Sequence, residues 1–389
     1  MVAGAAAVTR VSVTLPDPSA SPAPSEDKPS HWANDEGTLF HNPWPSFRQT
    51  NLTDLATMMY QVNIRAPPEP ISTTAATIPI HTPDFSYSSS GSGGKSIPAD
   101  QIKATWLGHA CFLLELPSTT PGRRGIRLLL DPVFSDRCSP SAWVGPKRFT
   151  KVPCQVEDLP EIDAVVSQEM SDCEVDAQSG VDLDIPTLTR LLAHQKSFTP
   201  HLFMPLNTLY ALPSNLQQAY KTTQLDWWGS AELQVEGVGR ARLSALPSQH
   251  FTARGIFDRN KALWASWSVE ELLDGDDNAD VTDSAEKKVV GGKVGAKIWF
   301  GGDTGYCSVK DGQHSVDLQA PVCPAFKEIG EKYGGFDLGL IPIGAYDPRG
   351  FMSPIHNGPM DAVRMFKDTV SCPSSTISLS FIRGDGEER

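Results

Sequence analysis

Five residues carry side chains suited to hydrolytic chemistry and stand where a chain can present them: His109, Asp131, His250, Asp303 and His356. Imidazole and carboxylate are ligands for divalent metals and donors or acceptors of protons. Each of the five follows a short apolar run or a turn. Asp303 is the clearest case, in Lys297-Ile-Trp-Phe-Gly-Gly-Asp-Thr-Gly-Tyr306. The run Ile298–Phe300 reads as a buried strand. Gly301 and Gly302 let the backbone turn sharply, and the carboxylate sits at the strand mouth with room beside it for a metal or a phosphate. An isolated Gly-Asp-Thr-Gly also fits a turn aspartate bonding its own backbone. Five such groups at strand ends point instead to a metallohydrolase whose ligands come from loops on one edge.

The elements that would position these residues alternate between strand and helix. Ala104–Leu116 reads as two strands around a Gly108-His109 turn, and Arg127–Leu130 as a strand running into Asp131-Pro132. Ile162–Ser167, His201–Met204, Ala241–Leu246, Trp264–Val269 and Leu338–Ile343 read as further strands. Ile185–His194 has proline near its start and helical apolar spacing, which reads as a helix. Cys323–Tyr333 and Pro359–Lys367 read as two more. In α/β folds, sites gather at strand ends.

Composition narrows the class. The 389 residues include 31 glycines and 32 prolines, and the net charge is -13, which argues against a nucleic-acid binder. Seven cysteines without a C-x-x-C pair argue against a disulfide scaffold and for a reducing, intracellular compartment. No apolar run reaches the length of a membrane span. Met1–Val8 makes a poor signal peptide. Arg10, with no acidic residue before Asp17, leaves a mitochondrial address open. Residues 1–37, rich in Ala, Ser and Pro, read as a disordered tail, with a domain over 38–369 and a separate tail over 370–389. Insertions fall near 168–182 and 308–322.

Several ordered motifs together resemble one family. They are Trp106-Leu-Gly-His-Ala, Asp131-Pro-Val-Phe-Ser, Gly145-Pro-Lys-Arg-Phe149, Leu225-Asp-Trp-Trp228, Pro247-Ser-Gln-His250, Leu263-Trp-Ala-Ser-Trp-Ser268, Gly302-Asp-Thr-Gly-Tyr306 and Ile341-Pro-Ile-Gly-Ala-Tyr-Asp-Pro-Arg349. The chain is similar over about Phe40 to Lys367 to the N-acylphosphatidylethanolamine-hydrolysing phospholipases D of the metallo-β-lactamase superfamily. The resemblance implies an α/β fold, the αββα sandwich of two facing sheets with helices outside, and two zinc ions in a groove at one edge. It implies cleavage of a phospholipid phosphodiester to phosphatidic acid and an N-acylethanolamine. Such zinc ions would share a hydroxide nucleophile and neutralise the phosphoryl oxygens. It also implies peripheral membrane contact and allows a homodimer. His250 matches a zinc ligand, and Asp303 matches the bridging aspartate. His356 matches a histidine near the scissile phosphate, a proton donor or charge stabiliser. Lys147 and Arg148 match a basic pair, either structural or lipid-phosphate contacts. His109 and Tyr346 lie in matching motifs and join them as substrate-binding candidates.

The chain departs from the family at two places. The family's His-x-His-x-Asp-His would follow the strand ending at Ser167, where this chain reads Gln168-Glu-Met-Ser-Asp-Cys173. Only Asp172 survives, as a catalytic and metal-ligand candidate, and the Cys173 thiolate is the one substitute that could bind zinc. No histidine lies between His109 and His194, or after His356, so the family's terminal ligand is missing too. The family's closing strand and helix are also expected to be absent, leaving a sheet edge uncovered. Ligand counting therefore predicts weak zinc occupancy and an inactive chain. Two explanations fit. One is a non-catalytic lipid-binding or interaction pseudoenzyme. The other is intron sequence translated at both departures, which the intact His250 and Asp303 motifs favour, together with a possible splice-donor sequence at Val370-Ser371.

Overall fold

The computed structural model describes residues 11–15, 28–49, 79–85, 100–118, 123–136, 151–169, 184–253, 258–273, 293–310, 320–370 and 376–380. After β1 (Val11–Thr14), six strands form one sheet in chain order: β2 (Lys103–Gly108), β3 (Cys111–Glu115), β4 (Arg127–Leu130), β5 (Ala164–Val166), β6 (His201–Pro205) and β7 (Thr222–Leu225). The second sheet is built from β8 (Ser230–Val235), β9 (Gly239–Leu246), β10 (Ser266–Leu272), β11 (Val294–Phe300), β12 (Leu338–Pro342) and β13 (Thr376–Ser380), with β1 added at one edge, in the order β1-β8-β9-β10-β11-β12-β13. Among the described residues the α-helices are α1 (Ile185–His194), α2 (Ser214–Ala219), α3 (Ala325–Tyr333), α4 (Arg349–Met352) and α5 (Pro359–Thr369).

Strand periodicity sorts the apolar residues into three layers. Successive side chains point to opposite faces. Phe112, Leu114, Leu128, Leu130, Ala164, Val166 and Phe203 of the first sheet therefore meet Leu233, Leu243, Trp267, Val269, Ile298, Phe300 and Leu340 of the second. The alternate residues Leu113, Leu129, Val165 and Leu202 face outward under Leu188 and Leu191 of α1 and Leu216 of α2. On the far side, Trp299 and Ile341 pack under Phe326 and Ile329 of α3 and Ala362 and Met365 of α5. Burial on both faces explains why β4 and β5 read as unbroken apolar runs. This is the αββα sandwich. Trp264, Trp267 and Trp299 are fully enclosed in it; cutting one back to alanine costs roughly 3–5 kcal/mol.

The strands' directions bring the site together. In the first sheet β2 is antiparallel to β3 and β3 to β4, while β4 to β7 are parallel. The C-terminal ends of β2, β4 and β5 thus share an edge. In the second, β9 and β11 both run antiparallel to β10, and β12 is parallel to β11, so their ends share an edge as well. At the opposite end, Asp163 accepts from Arg124 Nη2 and from the Arg127 amide, both at 2.8 Å, and Arg127 Nε donates to Glu115 at 2.9 Å. These buried charges hold the starts of β4 and β5 in register.

Three expectations are corrected. The closing edge is not bare: β13 lies parallel to β12, with Leu338 opposite Thr376 and Pro342 opposite Ser380. A strand therefore stands where none was expected, within the stretch assigned to a separate tail. At the other terminus, β1 pairs antiparallel with β8 although it falls within the expected tail of residues 1–37. His31 and Trp32 belong to the folded body too. His31 Nε2 lies 2.6 Å from Asp226 and stacks on Trp227 at 4.2 Å, and Trp32 Nε1 donates to Asp226 at 3.1 Å. Most of the two expected insertions lies outside the described residues.

Candidate metal centre

His250 follows β9 through Pro247-Ser-Gln, Asp303 follows β11 through Gly301-Gly302, and His356 lies on the turn between α4 and α5. All three are buried, with 1%, 2% and 1% exposure. One ligand atom from each lies within 4.8 Å of the others. The two imidazoles meet edge to face, with ring centroids 5.4 Å apart.

Gln249 joins the three loops. Its amide donates to Thr304 Oγ1 at 2.9 Å, and its carbonyl accepts from Gly305 at 2.8 Å, tying the His250 loop to the Asp303 loop. Its side-chain Nε2 donates to the Pro354 carbonyl at 2.8 Å, two residues before His356. Its Oε1 accepts from Ser46 Oγ at 2.5 Å, and Asn42 Nδ2 donates to the His250 carbonyl at 2.7 Å. The segment around residues 42–46 therefore braces the site from outside.

The loop after β5 closes the site from the first sheet. The Ser167 carbonyl accepts from Trp267 Nε1 at 3.1 Å and the Gln168 carbonyl from the Ala265 amide at 2.9 Å. The Gln168 amide donates to Asp131 Oδ1 at 2.8 Å. Gln168 Oε1 accepts from the Asp303 amide. Gly302 makes room for that side chain: it sits at φ 56°, and a Cβ there would overlap the Gln168 amide group. Beside it, Glu169 Oε2 lies 2.9 Å from His250 Nδ1, which also lies 2.8 Å from the Phe251 carbonyl.

Two acceptors at Nδ1 place the proton there, because neutral imidazole has one donor and one acceptor nitrogen. His250 Nε2 then carries the lone pair, and it has no partner among the described residues. Neither ring nitrogen of His356 has one. Burial, reinforced by His250 alongside, holds the His356 pKa well below the usual histidine value and keeps the ring neutral. Two bare imidazole nitrogens and a carboxylate, converging in a buried pocket, fit a divalent cation. A zinc ion held by three protein ligands would keep a coordination position for water or substrate, as in catalytic zinc sites.

His250, Asp303 and His356 are thus the expected site residues brought together, and His356, expected near the scissile phosphate, lies in one cluster with the two expected metal ligands. His109 is half-buried in the β2–β3 turn at φ 50°, its carbonyl accepting from Trp106 Nε1 at 2.7 Å. Tyr346 is half-buried on the loop after β12, its ring against Gly358 just after His356. Asp172, Cys173, Lys147 and Arg148 lie outside the described residues. Sequence reasoning missed the roles of Glu169 and Gln249. Glu169 pairs with a histidine 81 positions away, and nothing local signals that. Gln249, next to a candidate ligand within the Pro247-Ser-Gln-His250 motif, did carry a signal.

A family model for the β-lactamase superfamily domain matches residues 126–286. The N-acyl-phosphatidylethanolamine-hydrolyzing phospholipase D 1 of Caenorhabditis elegans is 34% identical over 298 residues, covering 75% of this chain and 65% of that protein. The mitochondrial N-acyl-phosphatidylethanolamine-hydrolyzing phospholipase D of Saccharomyces cerevisiae is 27% identical over 266 residues, 68% of this chain and 44% of that one. The chain thus spans less than two-thirds of either relative's length. Among solved structures, CmlA, a diiron β-hydroxylase from Streptomyces venezuelae, matches with 18% identity and a TM-score of 0.37 over 71% of this chain and 44% of its own. With the two-sheet sandwich and the buried histidine–aspartate cluster at its edge, the motif order and the identity to the nematode protein place this chain in the N-acylphosphatidylethanolamine-hydrolysing phospholipase D family of the metallo-β-lactamase superfamily.

Proposed function

We propose that the chain is a metal-dependent phosphodiesterase of phospholipase D type, acting on N-acylphosphatidylethanolamine with one zinc ion at His250, Asp303 and His356. The observation that carries the reading is the buried cluster itself. Polar groups out of water cost several kcal/mol when nothing pairs with them. His250 Nε2 and both His356 nitrogens have no protein partner among the described residues, and a divalent cation would pair with His250 Nε2, the lone-pair nitrogen of His356 and the Asp303 carboxylate. A bound divalent ion supplies Lewis-acid polarisation of a phosphoryl oxygen and makes a neighbouring water more acidic. The chain's own residues orient that chemistry. Glu169 and the Phe251 carbonyl hold the His250 proton on Nδ1 and leave Nε2 facing inward. Gln168 fixes the Asp303 backbone. The family's second ion would draw on Asp172 and Cys173. Lys147, Arg148, His109 and Tyr346 would contact the lipid phosphate and headgroup.

A lipid substrate requires contact with a bilayer face. No helix among the described residues is long and apolar enough to cross a membrane. Trp106, 44% exposed on β2 and bonded to the His109 carbonyl, offers an aromatic ring of the kind that favours the membrane–water interface.

Gln168 favours a second reading. It stands where the family's first motif histidine would ligate, and it bonds the Asp303 backbone instead. A protein without turnover, keeping the groove for lipid, fits that substitution. The purified full chain separates the readings by zinc analysis and by release of N-acylethanolamine from N-acylphosphatidylethanolamine vesicles. About one zinc per chain with chelator-sensitive release supports the enzyme. Bound zinc without release supports the lipid-binding reading. A chain that takes up no zinc overturns the metal site.

A further inference from the structure

We propose that Glu169 is the positioning residue of the metal centre, orienting His250 through its ring proton. The proposal rests on the reading of His250, Asp303 and His356 as a metal site. Its Oε2 lies 2.9 Å from His250 Nδ1, and Glu169 and His250 are each 1% exposed. A carboxylate on the outer nitrogen of a metal-binding imidazole fixes the tautomer, holds the ring plane and raises the basicity of the ligating nitrogen. The Phe251 carbonyl, 2.8 Å from the same nitrogen, can hold the proton but carries no full charge.

The carboxylate is itself held in place. Residues 167 and 168 are tied to the second sheet through Trp267 Nε1 and the Ala265 amide, and Gln168 is tied to Asp131. The backbone leading into Glu169 therefore has little freedom to swing away from His250. The Ser167 hydroxyl donates to the Glu169 carbonyl at 2.9 Å, closing the turn. This places Glu169 within the very stretch where the family's histidine motif is lost. The strand end that would have ligated metal directly here acts through a ligand supplied by the facing sheet.

The test uses the metal-free full chain and Zn2+ alone, titrated against a chromophoric chelator. Histidine 15N shifts report the tautomer of His250. Glu169→Ala is expected to weaken Zn2+ binding about 10- to 100-fold. Glu169→Gln keeps a neutral acceptor within reach and is expected to recover part of that loss and to retain the Nδ1–H tautomer. A merely structural glutamate would not give this graded order, and circular dichroism of each variant checks the fold. Equal Zn2+ affinity in wild type and Glu169→Ala, with wild type binding, overturns the proposal alone. A wild-type chain with the Nδ1–H tautomer that binds no Zn2+ overturns the metal-site reading, and the positioning role with it. A wild-type His250 protonated on Nε2 alone overturns the Glu169 assignment whatever the metal result.

Discussion

Replacing Gln249 with methionine should unlatch the site with little change in side-chain volume. Gln249 is fully buried, and its side chain makes two hydrogen bonds, from Ser46 Oγ at 2.5 Å and to the Pro354 carbonyl at 2.8 Å. Methionine fills a similar space and offers neither. In a dry interior the Ser46 hydroxyl then loses this acceptor, keeping its contact with the Cys323 thiol, and the Pro354 carbonyl loses its donor. Each abandoned partner costs roughly 1–3 kcal/mol, so the substitution should destabilise the fold by about 2–6 kcal/mol. The backbone bonds of residue 249 to Thr304 and Gly305 survive, so the loop should loosen rather than unfold. Urea denaturation of the full chain reads the loss as a lower midpoint at constant slope. Ser46→Ala alone removes one partner, and in the methionine background it removes a hydroxyl that has already lost its Gln249 acceptor. The double variant should therefore lose less than the two singles together, by about 1 kcal/mol or more. Because the lost Pro354 bond ties the His356 loop to the His250 loop, Zn2+ affinity should fall as well. A Gln249→Met chain within about 1 kcal/mol of wild type, or a strictly additive cycle, would refute the latch.

Gly302→Ala should be worse than an ordinary glycine replacement. The left-handed backbone alone costs about 1–2 kcal/mol, and the new methyl must displace Gln168 from the Asp303 amide; an unchanged melting temperature and Zn2+ affinity would count against the packing. His201 should make the fold acid-sensitive. Its pKa is lowered to about 4 by burial, with Lys221 adding to the shift. The unfolded chain then binds more protons between about pH 4 and 6.5, so stability is complete above pH 6.5 and is lost as pH falls towards 4. The loss should be on the order of 2 kcal/mol, and His201→Gln should flatten that part of the curve in urea melts at pH 7 and 4.5. Asp226→Ala removes the acceptor shared by His31 and Trp32; limited proteolysis should then cut within residues 28–48 faster than in wild type, and an unchanged cleavage pattern would deny the clasp.

The sandwich was legible because its strands are short apolar runs ending in polar residues. The candidate ligands were legible for the same reason, since His250 and Asp303 each stand a few residues past such a run. Four strands were not legible: β7 and β8, which are not apolar runs, and β1 and β13 at the edges of the second sheet, although these last two carry the alternation of a half-buried strand. Val11-Ser-Val-Thr14 was hidden in an Ala-rich context, and Thr376-Ile-Ser-Leu-Ser380 lies where the family pattern stops. Tertiary pairing with β8 and β12 overrides composition there. The proline-rich segment around Trp44 carries no strand or helix period. In the structure Trp44 stacks on Trp227 at 5.3 Å, and Trp227 donates to the Trp264 carbonyl at 2.6 Å. Contacts across nearly two hundred positions leave no local periodicity to read.

Ligand counting along the sequence predicts weak zinc occupancy from the missing histidines after β5. The fold divides the work differently. In this chain the three candidate ligands come from β9, β11 and the turn before α5, all on the side of the second sheet. The first sheet sends Asp131, Gln168 and Glu169 to the same place, and each is engaged in holding something else. Asp131 holds Gln168, Gln168 holds the Asp303 backbone, and Glu169 holds the His250 ring. A glutamine amide can orient a backbone N–H but contributes no imidazole nitrogen, so the substitution at 168 trades a ligand for a brace. On the function proposed above, the described residues provide for one ion. Its affinity should then depend on the rigidity of those braces more than on the number of ligands. That dependence makes Glu169→Ala and Gln249→Met more informative than substitution of the ligands themselves. Either would leave every candidate ligand in place and still weaken the ion's hold.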